Sequence, residues 1–210
     1  LTAITHIKFI NSAGTVTINN GATTLEGSGT TWTAAMIGRY VLLDGLWYEI
    51  TGRTDNDTIT ISTYEGVNLA GANYVLADVN FSGIIKDITI TGATGSGLVV
   101  QYAMEPTLDN LFIYGCGTGI DMDYVTYSRI NVTSNENGVN LNMNFVNGFY
   151  IDFSDFSNST TGAGIIMTEC YASTYFNSTT SDNTGDGINI TSCEGIVFVS
   201  FDISGNGGQG

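Results

Sequence analysis

The chain has 210 residues, enough for one large or two small domains with a core of their own. Against 27 Gly stands a single Pro, Pro106, and Thr, Ser and Asn abound at the expense of charged residues, which suits strands and tight turns rather than long helices. Twenty acidic residues face five basic ones, and the formal charge of -15 speaks against nucleic acid or an anionic membrane as partner while leaving calcium or another hard cation admissible.

In chain order, residues 1–80 show short alternating runs broken by turn signals. Gly14-Thr15-Val16-Thr17-Ile18 is followed by Asn19-Asn20-Gly21, a hairpin cue, and then by Thr23-Thr24-Leu25-Glu26. Tyr40-Val41-Leu42-Leu43, Asp44-Gly45, Trp47-Tyr48-Glu49-Ile50 and Thr58-Ile59-Thr60-Ile61 continue the meander. A small antiparallel β-barrel or sandwich is the expected form, with Trp32 and Trp47 in its core.

From about residue 83 a repeat takes over. Gly97-Leu98-Val99-Val100, Gly119-Ile120-Asp121-Met122, Gly138-Val139-Asn140-Leu141, Gly164-Ile165-Ile166-Met167 and Gly187-Ile188-Asn189-Ile190 each alternate like a strand with one buried face. Their glycines step by 22, 19, 26 and 23 residues, one turn of a β-solenoid per step. The overlay predicts two inward columns, one of Leu98, Ile120, Val139, Ile165 and Ile188 and one of Val100, Met122, Leu141, Met167 and Ile190. Between them Val99, Asp121, Asn140, Ile166 and Asn189 face outward. The expected fold class is therefore all-β, a small antiparallel domain over 1–80 and then a right-handed parallel β-helix over 81–210, a single-stranded solenoid of about five rungs.

A second strand per rung is expected at Ile88-Thr89-Ile90, Leu111-Phe112-Ile113, Ile130-Asn131-Val132, Ile151-Asp152-Phe153 and Phe201-Asp202-Ile203, with Asn131, Asp152 and Asp202 in one outward column. The polar run from Ser154 to Thr161 reads as an exposed loop. Phe201 precedes Gly210 by nine residues, as if another rung began there. Cys116, Cys170 and Cys193 are too few for a disulfide framework, and Cys170 and Cys193 are expected as vertical neighbours with reduced thiols.

The N-terminal runs carry a resemblance. Gly14-Thr15-Val16-Thr17, then Gly29-Thr30-Thr31-Trp32 through Gly38-Arg39-Tyr40, then Trp47-Tyr48-Glu49-Ile50, over roughly residues 14 to 76, resemble a β-domain of bacteriophage tail fibre and tailspike proteins. The solenoid resembles the pectate-lyase-like bodies of such spikes. The resemblance implies a homotrimeric, virion-exposed protein, held to other tail proteins and contacting a host-cell surface polysaccharide, with residues 1–80 as joint or attachment module.

Spikes of this kind often cleave polysaccharide, which in a glycosidase takes two carboxylates about 5 to 9.5 Å apart. Asp121 with Asp123 is the best pair, two residues apart on one outward face; Asp152 with Asp155 and Asp182 with Asp186 follow. Nothing supports them: the one histidine, His6, lies outside the solenoid, Arg129 reads as an ordinary surface charge, and no zinc or triad pattern is present. Tyr102, Tyr124 and Tyr127 are candidate sugar platforms. The sequence thus reads as a structural and adhesive fibre or spike subunit, non-enzymatic in this segment, without cofactor unless calcium, and located on a virion tail or outside cells. The alternatives are a polysaccharide depolymerase of tailspike type and a bacterial extracellular adhesin or surface-fibre subunit.

Overall fold

Alternation along Thr15–Ile18 and Thr58–Ile61 gives each strand one buried face, and in a computed structural model these strands curl round the apolar side chains so presented. The structure describes residues 9–77 and 83–208, so His6 and Gly210 lie outside the described residues. Contacts divide the chain into two compact units, one formed by Ile7–Val79 and one containing Asn80–Gly210.

The first unit holds β1 (Phe9–Asn11), β2 (Thr15–Ile18), β3 (Thr24–Ser28), β4 (Tyr40–Leu43), β5 (Leu46–Arg53), β6 (Thr58–Ile61), β7 (Leu69–Ala72) and β8 (Val75–Ala77). They form one antiparallel sheet in the order β1-β8-β4-β5-β6-β3-β2-β7. A bulge between Ile50 and Gly52 bends the long β5, so that it serves both halves of the curl. Asp44 and Gly45, with φ of 49° and 78°, make the two-residue turn from β4 to β5. Val16, Leu25, Ile50, Ile59 and Leu76 fill the interior around Trp32, whose Nε1 donates to Tyr74 Oη at 3.0 Å. Trp32 is thus a core residue as expected, while Trp47 is buried without belonging to this cluster.

In the second unit fourteen strands follow among the described residues: β9 (Ile84–Lys86), β10 (Thr89–Thr91), β11 (Ser96–Gln101), β12 (Thr107–Tyr114), β13 (Thr118–Asp123), β14 (Arg129–Asn135), β15 (Val139–Asn144), β16 (Tyr150–Asp152), β17 (Ile165–Thr168), β18 (Tyr171–Phe176), β19 (Thr179–Ser181), β20 (Ile188–Thr191), β21 (Glu194–Val199) and β22 (Asp202–Ser204). All pair in parallel. One sheet runs β11-β13-β15-β17-β20 and another β10-β12-β14-β16-β18-β21, with β9 joining β12 and with β19 beside β22. This is a parallel β-solenoid of about five turns, as the tetrads predict.

The register corrects the tetrad overlay in one rung. Leu98, Ile120, Leu141, Ile165 and Ile188 are in line, as are Val100, Met122, Met143, Met167 and Ile190. Val139 stands opposite Thr118 instead. The third repeat is therefore Asn140-Leu141-Asn142-Met143, with Asn140 in the glycine position, and the steps from 97 to 119, 140, 164 and 187 become 22, 21, 24 and 23. Asn140 is fully buried rather than outward.

Its burial follows from a polar ladder along one inner corner. The glycines of the tetrad leave room for it: a Cβ at Gly119 would lie 2.1 Å from Ser134 Oγ and 2.7 Å from Asn137 Nδ2. Successive rungs place Cys116, Asn137, Ser159, Asn183 and Asn206 at this corner, where the next rung's asparagine Oδ1 accepts the N–H of the rung before. Cys116 N donates to Asn137 Oδ1 at 2.9 Å, Ser159 N to Asn183 Oδ1 at 2.8 Å and Asn183 N to Asn206 Oδ1 at 3.1 Å. Ser159 lacks the amide that Asn137 needs, and Asn140 supplies it from the neighbouring column: Asn137 N and Nδ2 donate to Asn140 Oδ1 at 3.3 and 3.0 Å. Asn140 Nδ2 donates onward to Ser157 O at 2.8 Å and Asn183 Oδ1 at 3.3 Å. In this rung asparagine thus stands in the glycine column and serine in the asparagine column.

The same shift removes the exposed loop expected at 154–161. Phe156 is fully buried, Ser154, Ser157 and Ser159 are buried and hydrogen-bonded, and Asp155 bridges Thr133 and Thr179 in the sheet. The second-strand overlay had merged two columns. Leu111 stands beside Val132, while Ile130 belongs with Leu108, Ile151, Tyr175 and Phe198. Asp202 pairs with Thr179 and does not share the column of Asn131 and Asp152.

Corners are cut by residues of left-handed backbone. Tyr102, Tyr124, Phe145, Glu169 and Ser192, with φ of 49° to 54°, form one vertical column of them. Bulky residues rarely adopt this region; here each of the first four has its N–H bonded to a carbonyl of the next rung, at 2.9 to 3.0 Å. Beyond that corner Ala103, Val125, Val146, Cys170 and Cys193 stack inward. The cysteines are free, Cys170 N donates to Cys193 Sγ at 3.3 Å, and the two are the vertical neighbours expected.

Candidate functional site

Three outward features of the solenoid carry chemistry. The first lies on β13, where alternation turns Asp121 and Asp123 to the same face, about 6.8 Å apart along the strand. Asp121 accepts hydrogen bonds from Asn142 Nδ2 at 2.8 Å and Ser96 Oγ at 3.4 Å, and Asp123 accepts one from Asn144 Nδ2 at 3.0 Å. Burial, and secondarily the charge of Asp121, raise the Asp123 carboxyl above its ordinary value, with the Asn144 hydrogen bond opposing them. The pair is thus tied to amides of the rung above, an arrangement that joins rungs.

The second feature flanks it. Tyr102, Tyr124 and Phe145 stack along the solenoid with centroids 5.4 and 4.6 Å apart and planes within 5°. Both faces of Tyr124 are covered by its neighbours, so a sugar ring meets the edge and hydroxyl of that residue rather than its π-face. Burial, then the Asp123 charge, raises both phenols. Tyr127 stands apart, 59% exposed, with its ring over Gly148, where a Cβ would come within 2.8 Å of it.

The third feature is a groove on the other sheet. Register brings Ile84, Thr107, Arg129 and Tyr150 into one outward column and Lys86, Asp109, Asn131 and Asp152 into the next, with the inward Ile85, Leu108, Ile130 and Ile151 between them. Two adjoining hollows of about 280 and 400 Å³ share Thr107 and Arg129. The smaller is walled by Asp109, Asn131, Tyr150 and Asp152, the larger by Ile84, Glu105 and Tyr127. From β9 to β16 they follow the solenoid axis over three strand steps, about 14 Å. The Arg129 guanidinium lies 5.9 Å from the centre of the Tyr150 ring, within cation–π range. Asp152 Oδ1 is buried without a hydrogen-bond partner.

The structure therefore brings Asp121, Asp123, Tyr102 and Tyr124 together and places Tyr127 elsewhere, on the groove. Sequence reasoning passed over Asp109 and assigned Arg129 to ordinary surface. Asp152 and Asp155 lie in different columns, separated by the left-handed Phe153. No group of three or more His, Cys, Asp and Glu gathers as a metal site among the described residues, and no helix there is long and apolar enough to cross a membrane.

No protein-family model and no curated protein matches the sequence. Among the solved structures similar to it are two tailspikes. The tailspike protein gp49 of Pseudomonas phage LKA1 is matched over 90% of this chain and 33% of its own, at 14% identity and a TM-score of 0.48. The Gp54 tailspike of Acinetobacter baumannii bacteriophage AP22, solved in complex with A. baumannii capsular saccharide, is matched over 92% of this chain and 46% of its own, at 8% identity and a TM-score of 0.37. The chain spans a third and under half of these two proteins, respectively.

Proposed function

We propose that the chain is a structural and adhesive subunit of a phage tail fibre or tailspike, which binds a host-surface glycan in the groove along β9, β12, β14 and β16 and does not cleave it. The observation that carries this reading is the convergence, in one elongated outward hollow, of Arg129, Tyr150 and the hydrogen-bonding Thr107, Asp109, Asn131 and Asp152. A sugar chain asks for such a mixture: donors and acceptors for hydroxyls beside an aromatic edge. The parallel ladders hold these groups on a rigid sheet, so little ordering accompanies binding. The N-terminal unit serves as the joint or attachment module, and three copies form the working assembly on the virion tail.

Glycan-array binding by the purified chain tests the reading, with loss of signal expected for Asp152→Ala; a chain that binds no glycan sinks it. Sedimentation should give three times the chain mass of 22.3 kDa, and a stable species of one chain mass removes the trimer. One observation favours a depolymerase instead: Asp109 and Asp152 stand in one column two strand steps apart, about 9.6 Å between Cα atoms, close to the carboxylate spacing of inverting glycosidases. Release of reducing ends from a bound glycan decides for that reading, and an intact glycan against it.

A further inference from the structure

We infer that the groove selects an acidic sugar, with Arg129 holding its carboxylate; this rests on the glycan-binding reading above. The whole chain has five basic residues, and the solenoid's two, Lys86 and Arg129, both stand on this face. Among the described residues Lys86 pairs with its neighbour Asp87, at 4.0 Å, where both are well exposed. Arg129 is exposed, and although Asp109 and Asp152 line the same hollow, it forms no ion pair with either; its described contact is the face of Tyr150. The aromatic ring supports the guanidinium plane and leaves its N–H edge free.

Guanidinium and carboxylate match as a planar fork with two parallel N–H···O bonds. A sugar acid seated there would place its ring hydroxyls toward the next column, where Asp109, Asn131 and the unpartnered Asp152 Oδ1 accept hydrogen bonds. The carboxylates have a second effect. By crowding Arg129 with negative charge, they let in one anionic group and repel a densely charged polymer, so the fitting ligand carries isolated carboxylates among neutral sugars. The net charge of -15 does not prevent this, because exposed charges beyond about 8–10 Å are screened at ordinary ionic strength.

The test is an array carrying uronate-bearing, sialate-bearing, amino-sugar and neutral oligosaccharides, probed with the whole chain and with Arg129→Gln and Arg129→Lys, and repeated after carbodiimide reduction of the sugar carboxyls to alcohols. Uronate or sialate probes should be bound, with affinity falling about tenfold or more in Arg129→Gln and on carboxyl reduction. Arg129→Lys should recover part of it, since the charge remains but the fork is lost. Far-ultraviolet circular dichroism confirms that both variants fold. Binding of neutral or amino-sugar probes that ignores both Arg129→Gln and reduction overturns the inference and leaves the glycan-binding reading standing. Binding to no probe overturns both.

Discussion

Asparagine in the glycine column and serine in the asparagine column of one rung make a sharp stability prediction. In Asn140→Gly the third rung regains the glycine of its four companions but loses the amide that completes the corner ladder. Four hydrogen bonds disappear, and two buried backbone groups, Asn137 N–H and Ser157 C=O, lose the partners described for them. Asn137 Nδ2 keeps Ile113 O and Ser134 Oγ, and Asn183 Oδ1 keeps Ser159 N, so the loss concentrates on the two backbone groups. At about 1–3 kcal/mol for each, the expected destabilisation is about 2–6 kcal/mol, roughly 2–4 °C of melting temperature per kcal/mol. Ser159→Asn alone should also destabilise, because its amide would contend with that of Asn140 for one space. In the double variant the ladder regains the arrangement of the neighbouring rungs, and stability should recover well beyond the sum of the single effects. Urea titration of the four proteins, with midpoint and slope compared, measures the coupling. A double variant no more stable than additivity predicts would refute the ladder argument.

Further outcomes follow from the same geometry. Asp123→Asn should stabilise the fold at neutral pH. A native carboxyl held above the ordinary 3.8 binds its proton more tightly folded than unfolded, so stability falls as pH rises from that value through the native one; the advantage should vanish in melts below pH 3.8. Gly119→Ala should cost about 1–3 kcal/mol or more by overpacking, since the new Cβ meets Ser134 Oγ and, at 2.6 Å, Asn140 O, whereas Gly95→Ala, with nothing within 4 Å, should melt unchanged. Burial pushes the Cys170 thiol up to about 12. Iodoacetamide at pH 8 should therefore spare it in the native protein, and the first adduct found by peptide mass mapping should sit on the half-buried Cys193.

How far the sequence could be followed depends on which face a residue serves. Inward columns were legible because Leu98, Ile120, Ile165 and Ile188 are selected by one physical demand, apolar bulk at a fixed pitch, which leaves a period in the sequence. The third rung misled because Gly138 stands two residues after Ser134-Asn135-Glu136 in a stretch where glycine and asparagine serve different columns. The pattern Gly-apolar-x-apolar occurs at 138–141, yet the next polar-apolar pair, Asn142-Met143, continues the alternation equally well. Only the paired hydrogen bonds of Asn137 and Asn140 decide between the two registers. The groove was hidden for a related reason. Asp109, Arg129, Asn131, Tyr150 and Asp152 belong to three rungs and become neighbours only through strand register, and the merged second-strand columns put Asp202 in their company.

Inner register and outer surface are coupled by the same backbone. Because a strand's side chains alternate, the register that seats Asn140 in the ladder also fixes what faces solvent two residues farther on. It sets Asn142 above Asp121 and Asn144 above Asp123, where each amide donates to a carboxylate of the rung below. In the register of the glycine overlay, Asn140 would stand over Asp121 and Asn142 over Asp123, and Asn144 would pass beyond the pair. Either register sets an asparagine over each aspartate, and the buried placement of Asn140 decides which asparagines they are.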